Sequence, residues 1–114
     1  MNSGNINMAK ARLSMILTEE EMERLTFAEK EIKNKKEIIA DVHGLSTKKA
    51  KQFLKNIINT IMDTFYLIVI HGYTHGTAIR DMIWTTKELG QRAGKPTCPD
   101  KNYGRTVMEI AAAV

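Results

Sequence analysis

Residues 38–72 read IIADVHGLSTKKAKQFLKNIINTIMDTFYLIVIHG, in which a helical repeat separates two short apolar runs. The first run covers residues 38–43 and the second covers residues 65–70, and both have the length of a β-strand. The second run is apolar almost throughout, which is typical of a strand covered on both faces of a parallel sheet. Between the runs, Ser46 is a candidate N-cap for a helix. The apolar side chains of that helix are spaced by three and four: Ala50, Phe53, Leu54, Ile57, Ile58, Ile61 and Met62. A right-handed strand–helix–strand crossover places the two strands parallel and side by side.

The remaining C-terminal sequence predicts another helix and another strand. A helix is expected from Thr77 to Leu89, and Gly90 is a suitable stop. Two prolines favour a loop or an edge strand over residues 95–100, and residues 103–110 fit a final strand. The expected fold class is therefore α/β (α+β): a two-layer βαβαβ-type sandwich whose first two strands are parallel, with an additional N-terminal helix.

Residues 1–37 differ in composition from the rest of the chain, because they are polar and rich in Glu and Lys. Residues 1–17 are expected to be partly disordered; the alternative is that their apolar side chains cap an apolar surface, namely Met8, Leu13, Met15, Ile16 and Leu17. Thr18 and Glu21 match a capping box, which predicts a peripheral or partner-facing helix over residues 19–36. The sequence thus predicts an N-terminal extension, residues 1–37, followed by one domain, residues 38–114.

Composition excludes several classes of protein. The 114-residue chain has one cysteine, Cys98, so an intramolecular disulfide scaffold is excluded and a reducing cytoplasmic location is favoured. No apolar run approaches the roughly 18 residues of a membrane span, and the first residues lack the apolar core of a signal peptide. Residues 1–37 carry seven Lys/Arg and seven Glu, whereas residues 38–114 carry ten Lys/Arg and six Asp/Glu. The net charge of +4 therefore belongs to the second segment, where it permits an anionic partner.

Both predicted parallel strands end in His-Gly, at His43-Gly44 and at His71-Gly72. Parallel strands end at the same edge of a sheet, and ligands of open α/β sheets bind outside that edge. Asp41 and His43 are two residues apart on a strand and share a face, so the carboxylate can fix the tautomer of the imidazole. We expect Asp41, His43 and His71 to form a catalytic group, with a histidine as general acid or base. The alternative is a turn-capping aspartate beside structural histidines.

Cations follow both strand ends. Residues 71–80 join a strand to a helix N-terminus, where backbone N–H groups and the helix dipole favour an anion. Arg80 in that first turn, and Lys48 and Lys51 in the preceding helix, are unfavourable for the helix dipole unless an anion lies nearby. They are candidate phosphate ligands. The alternative is a solvated charged face, with Arg80 paired to Asp81.

Three motifs in this order resemble the small MutS-related (Smr) domain. The first is Asp41-Val42-His43-Gly44, followed by the helix that begins at Ser46. The second is the segment 68–72 followed by Gly76, Ile79 and Arg80, and the third is the closing segment 102–107. The resemblance covers about residues 38–110. It implies a compact α/β sandwich, similar to the C-terminal domain of a bacterial translation initiation factor, that binds nucleic acid and, in several members, nicks DNA or cleaves RNA.

The resemblance also implies roles for individual residues. Asp41 and His43 belong to the motif linked with cleavage, and His71, Gly72 and Gly76 to the substrate-binding loop. The family loop usually reads H-G-K-G-x-G, whereas this chain has Tyr73, Thr74 and His75 after Gly72. The full set of candidate nucleic-acid-binding residues is Gly44, Lys48, Lys51, Gly72, Tyr73, His75, Gly76 and Arg80.

The expected function is nucleic-acid binding, with endonuclease activity on DNA or RNA. A divalent metal, Mg²⁺ or Mn²⁺, is a candidate cofactor held through Asp41, although one carboxylate is too few ligands to identify it. The alternative is a non-catalytic module that binds nucleic acid, or a protein partner through the N-terminal helix. No membrane partner is expected.

Overall fold

The computed structural model describes residues 4–30, 35–72, 77–85, 87–98 and 104–113 of the chain. In chain order the elements of this described part are α1 (Gly4–Ser14), α2 (Glu19–Glu23), β1 (Leu25–Lys30), β2 (Lys35–Asp41), α3 (Thr47–Thr60), β3 (Phe65–Ile70), α4 (Ala78–Thr85) and β4 (Arg105–Ile110).

The strands form one mixed sheet in the order β1-β2-β3-β4. β2 and β3 are parallel, with Asp41 opposite Ile70, while the β1–β2 and β3–β4 pairs are antiparallel. The predicted α+β class and the parallel pairing of the two His-Gly strands are both confirmed.

Helix α3 is the crossover between the parallel strands. Ser46 is its N-cap, and the Ser46 hydroxyl accepts a hydrogen bond from the Lys49 backbone N–H at 3.1 Å. The side chains that it buries are Ala50, Phe53, Leu54, Ile57 and Ile58. Each large apolar side chain buried in this way contributes about 1.5–3 kcal/mol. The apolar spacing in the sequence therefore located this helix and its inner face correctly as far as Ile58. The predicted set extends beyond the helix, which ends at Thr60: Ile61 is the buried C-cap residue, and Met62 is 49% exposed.

The core lies on one face of the sheet. Ile38, Leu67 and Met108 stand opposite one another on three neighbouring strands, and all three are at most 2% exposed. On the opposite face of β3, Ile68 is 7% exposed, whereas Tyr66 and Ile70 are only half-buried. The expectation that β3 is covered on both faces is therefore met fully on one face only.

The described residues 4–17 fit the alternative to partial disorder, in which apolar side chains of this segment cover the core, at Leu13 and Leu17. Residues 4–14 form α1, and the chain then turns into α2. Leu13 is fully buried and Leu17 is 6% exposed, both within the core cluster. Burial of these leucines against the rest of the core holds a helix whose own sequence has little amphipathic pattern.

The predicted helix over residues 19–36 is wrong. The Thr18–Glu21 capping box is present, with both reciprocal hydrogen bonds, but α2 ends at Glu23. The chain continues as β1, in which Leu25 lies opposite Ala40 and Phe27 opposite Ile38. Pairing with the edge of β2 overrides the helix-forming composition of this segment. The predicted boundary at residue 37 falls inside β2.

The C-terminal elements are shorter than expected. α4 ends at Thr85, before the predicted limit at Leu89, whose buried side chain precedes Gly90 at φ 102°. That backbone conformation favours glycine, so Gly90 accommodates a turn of the chain after α4 has already ended. Thr97 forms an isolated antiparallel bridge with Val107, so residues 95–98, the described part of the proline segment, lie along the outer edge of β4. No helix of the described ranges is both long enough and apolar enough to cross a membrane.

Arg92 ties the end of α3 to the end of β4. Its guanidinium donates to the carbonyl oxygens of Ile58 and Ile61, both at 2.6 Å, and to that of Ala111 at 2.7 Å. Carbonyls at a helix C-terminus have no partner within the helix and lie at its negative end, so a cation there is favourable.

Replacing Arg92 with alanine is expected to lower the free energy of unfolding by about 1–3 kcal/mol, because charge-assisted hydrogen bonds to carbonyl groups are lost. Urea denaturation followed by circular dichroism measures this loss. Arg12→Ala, on the exposed surface of α1, is the matched control and should change stability by less than about 0.5 kcal/mol. Equal effects of the two substitutions would contradict the role given to Arg92.

Candidate functional site

The carboxyl ends of β2 and β3 lie side by side. Val42 N–H donates to the Ile70 carbonyl at 2.9 Å, which continues the parallel ladder to the edge of the sheet. A Cβ placed on Gly72 would lie 3.9 Å from the Cβ of His43, so the two strand ends are in contact. Gly44 and Gly72 have φ values of 82° and 72°, a region that side chains disfavour. Glycine thus follows each histidine because the chain turns out of the strand there.

Asp41 and His43 form the exposed part of this site. The Asp41 carboxylate accepts hydrogen bonds from the backbone N–H of His43, at 3.2 Å, and from the Nδ1 of the His43 ring. The side chains are 36% and 66% exposed, respectively. A carboxylate only accepts hydrogen bonds, so the Nδ1 of His43 carries the proton. The Nε2 of the neutral ring is then free of a proton and can accept one. This is the arrangement needed for a general base with a fixed tautomer.

Arg24 supports this pair, and the sequence did not indicate it. Its guanidinium Nη1 donates to the carbonyl oxygens of Asp41, at 3.1 Å, and of His43, at 3.2 Å. Its own carbonyl accepts the N–H of Asp41 at 2.9 Å. Arg24 lies just before β1, so the strand that the sequence analysis read as helix also brings this arginine to the site. The alternation of Leu25 and Phe27 with polar or small neighbours is the signal that indicates β1.

His71 has different surroundings. His71 is 7% exposed, and both nitrogens of its ring have hydrogen-bond partners. Nδ1 lies 2.8 Å from the carbonyl oxygen of Gly72, and Nε2 lies 2.8 Å from the hydroxyl of the fully buried Thr106. Trp84 Nε1–H also donates to that hydroxyl at 2.8 Å.

These contacts define the direction of each hydrogen bond. The Gly72 carbonyl only accepts, so His71 Nδ1 donates and Nε2 of the neutral ring accepts from Thr106. The Thr106 hydroxyl in turn accepts from Trp84. Burial lowers the pKa of His71, and its hydrogen bond to the Gly72 carbonyl opposes that shift; the positive charge of Arg80 lowers the pKa further. The His71 imidazole is therefore held neutral, which favours a positioning role over that of the catalytic acid or base.

Arg80 lies in the first turn of α4, between the histidine network and solvent. Its guanidinium carbon is 4.7 Å from the centre of the Trp84 ring, within cation–π range. Its contact with the Asp81 carboxylate is loose, at 3.8 Å, and its side chain remains 34% exposed. Arg80 thus retains solvent access at the edge where an anion is expected.

The predicted lysines differ from each other. Lys48 is exposed in the first turn of α3, whereas the Lys51 ammonium forms an ion pair with Glu88 at 2.8 Å. Gly44 and Gly72 lie at the site, as described above. Tyr73, His75 and Gly76 lie outside the described residues.

The described part of the chain offers few side chains that could together ligate a metal ion. No group of three His, Cys, Asp or Glu side chains is placed there to hold a metal ion. The Mg²⁺ or Mn²⁺ cofactor, for which Asp41 is the candidate ligand, stays a prediction.

The lowered pKa of His71 predicts that acid destabilises the fold. The unfolded chain takes up a proton near pH 6.5, whereas the folded chain resists it to lower pH, so stability falls as pH drops below about 6.5. Thermal unfolding at pH 7.5 and pH 5.5 measures the difference in Tm. The His71→Asn variant should show a smaller difference than the native chain, and Asn59→Ala, at an exposed position of α3 that carries no titratable group, is the control and should show the native difference. An unchanged pH dependence in His71→Asn would contradict the buried neutral state.

Comparison of the chain with family models, with curated proteins and with solved structures gave no match in any of the three. The Smr resemblance therefore stays a prediction carried by the residue pattern.

Proposed function

We propose that this protein binds nucleic acid at the edge of the sheet where β2 and β3 end, and that it cleaves a phosphodiester bond there. The observation that carries the proposal is the exposed pair Asp41–His43, in which the carboxylate fixes the Nδ1–H tautomer and Nε2 is an acceptor. A histidine oriented in this way is suited to remove a proton from an attacking oxygen.

The expected reaction is transfer of a phosphoryl group from one oxygen to another. The attacking oxygen belongs to water or to an RNA 2′-hydroxyl; it bonds to phosphorus while His43 Nε2 accepts its proton. The bond from phosphorus to the leaving oxygen breaks, and the leaving oxygen takes a proton from the imidazolium or from water. Asp41 stabilises the imidazolium formed during the step. His71 holds the neighbouring strand end through Gly72 and Thr106.

The cations at the same edge support binding of a phosphate backbone. Arg80 and Lys48 are solvent-accessible in the first turns of α4 and α3. Lys51 contributes less, since Glu88 pairs with it. If the candidate metal binds, Asp41 is the side chain that holds it, and the metal would polarise the scissile phosphate.

A second candidate function is that of a non-catalytic interaction module. Met8, Met15 and Ile16 of the N-terminal region are 55%, 86% and 56% exposed. Large exposed apolar side chains of this kind are typical of a protein-binding surface. We also propose a cytoplasmic location, supported by the use of one cysteine, Cys98, in the whole chain.

Asp41→Asn and His43→Ala are each expected to reduce cleavage about 100-fold or more, the usual contribution of a general base, while leaving nucleic-acid affinity within a few-fold. The assay follows nicking of supercoiled DNA and cleavage of structured RNA, with Mg²⁺, with Mn²⁺ and with a chelator. Asp63→Asn is the matched control, because Asp63 precedes β3 at the opposite end of the sheet and pairs with Lys36.

Three results separate the candidate functions. Cleavage by both variants at the native rate would contradict the assignment of Asp41 and His43. Native binding that weakens steeply with salt, without cleavage in any condition, would favour a nucleic-acid-binding module. Absence of nucleic-acid binding, together with salt-insensitive binding of a protein, would favour the interaction module.

A further inference from the structure

We propose that a cavity beside Trp84 is a binding pocket for an unpaired nucleobase, so that the protein prefers single-stranded nucleic acid; this rests on the proposed function. The cavity has a volume of about 520 Å³, within the range of small-molecule sites. It lies between the end of α4, the segment that follows α4, and Met108 of β4.

The chemistry of the cavity wall fits an uncharged aromatic base that carries a phosphate. Trp84 supplies an aromatic side chain, and Leu89, Pro96 and Met108 supply apolar surface. Lys87 and Lys95 are exposed, and they are the charged side chains among the described residues that line the cavity. Neither aspartate nor glutamate is among those lining residues, so a flat, uncharged ring with an attached phosphate complements the wall.

Trp84, which lines the cavity, is linked to the candidate catalytic edge by side-chain contacts. The Arg80 guanidinium packs on the Trp84 ring, and the Trp84 N–H is bonded to Thr106, which is bonded to His71. Arg80 packs on the Trp84 ring within α4, and Lys87 lines the cavity beyond the end of that helix at Thr85. The indole therefore has a cation beside it toward the strand ends and another in the cavity.

This geometry predicts discrimination by strandedness. A base in a duplex is stacked and paired, so it cannot enter a cavity in the protein surface without the cost of leaving the stack. A base of a single strand reaches the cavity without that cost, and stacking on aromatic side chains is largely independent of base identity. Single-stranded DNA and RNA share this chemistry.

The test uses the full chain and three unlabelled probes: a 12-nucleotide oligo-dT, a 12-nucleotide oligo-U and a 12-base-pair blunt DNA duplex. Trp84 is the one tryptophan of the chain, so its emission reports directly on the cavity. We expect the single strands to quench Trp84 fluorescence and to bind at least tenfold more tightly than the duplex. The relative affinities of oligo-dT and oligo-U identify which sugar is preferred.

The variant K87Q/K95Q removes both cavity lysines. It should bind the single strands about tenfold more weakly. Its affinity should also depend less steeply on salt: the magnitude of the slope of log affinity against log salt should fall by about 1.4, the value for two phosphate contacts. Its affinity for the duplex should be unchanged. K10Q/R12Q removes two charges from α1 and is the matched control; it should match the native chain with all three probes.

The outcomes separate this inference from the proposed function. Failure of the native chain to bind any probe would overturn both. Binding without a change in Trp84 emission, with K87Q/K95Q equal to K10Q/R12Q, would overturn the nucleobase pocket alone. Equal affinity for single strands and duplex would also overturn the pocket and leave the Asp41–His43 proposal intact.

Discussion

The parallel pairing of β2 with β3 is the constraint on which the site depends. Because Asp41 lies opposite Ile70, each His-Gly turn leaves the sheet at the same edge and contacts the other. α3 makes this pairing possible, since a parallel connection needs a crossover, and its apolar face supplies much of the core. A shift of one residue in this register would turn the inward-facing side chains outward and separate the two strand ends.

The two histidines then differ because they face different surroundings. His43 is exposed beside a carboxylate, with one ring nitrogen bonded to Asp41. His71 is buried, with both ring nitrogens bonded, in a chain of hydrogen bonds that starts at Trp84 and ends at the Gly72 carbonyl. The same dipeptide therefore supplies a chemically accessible imidazole on one strand and a fixed, neutral one on the next.

The sequence correctly predicted the elements that depend on the spacing of neighbouring residues along the chain. The three-and-four spacing located α3, the apolar run located β3, and the two-residue separation of Asp41 and His43 predicted their contact. β1 was missed although Leu25 and Phe27 alternate with polar or small neighbours, because its acidic and basic neighbours favour a helix and its pairing with β2 is a tertiary effect. The contact of Arg24 with the carbonyls of Asp41 and His43 was missed for that reason. The burial of His71 depends on which side of the strand end its ring faces, and the sequence pattern around it does not determine that.

The N-terminal segment has a consequence for the integrity of the sheet. β1 covers the backbone groups along one side of β2, and Arg24 fastens its end. A shortened chain that began at residue 35, the first residue of β2, would leave β2 as an exposed edge beside the apolar core. Open edges of this kind recruit strands from other molecules, so such a chain would tend to aggregate. The segment that looks like an appendage in the sequence is thus a barrier against intermolecular strand pairing.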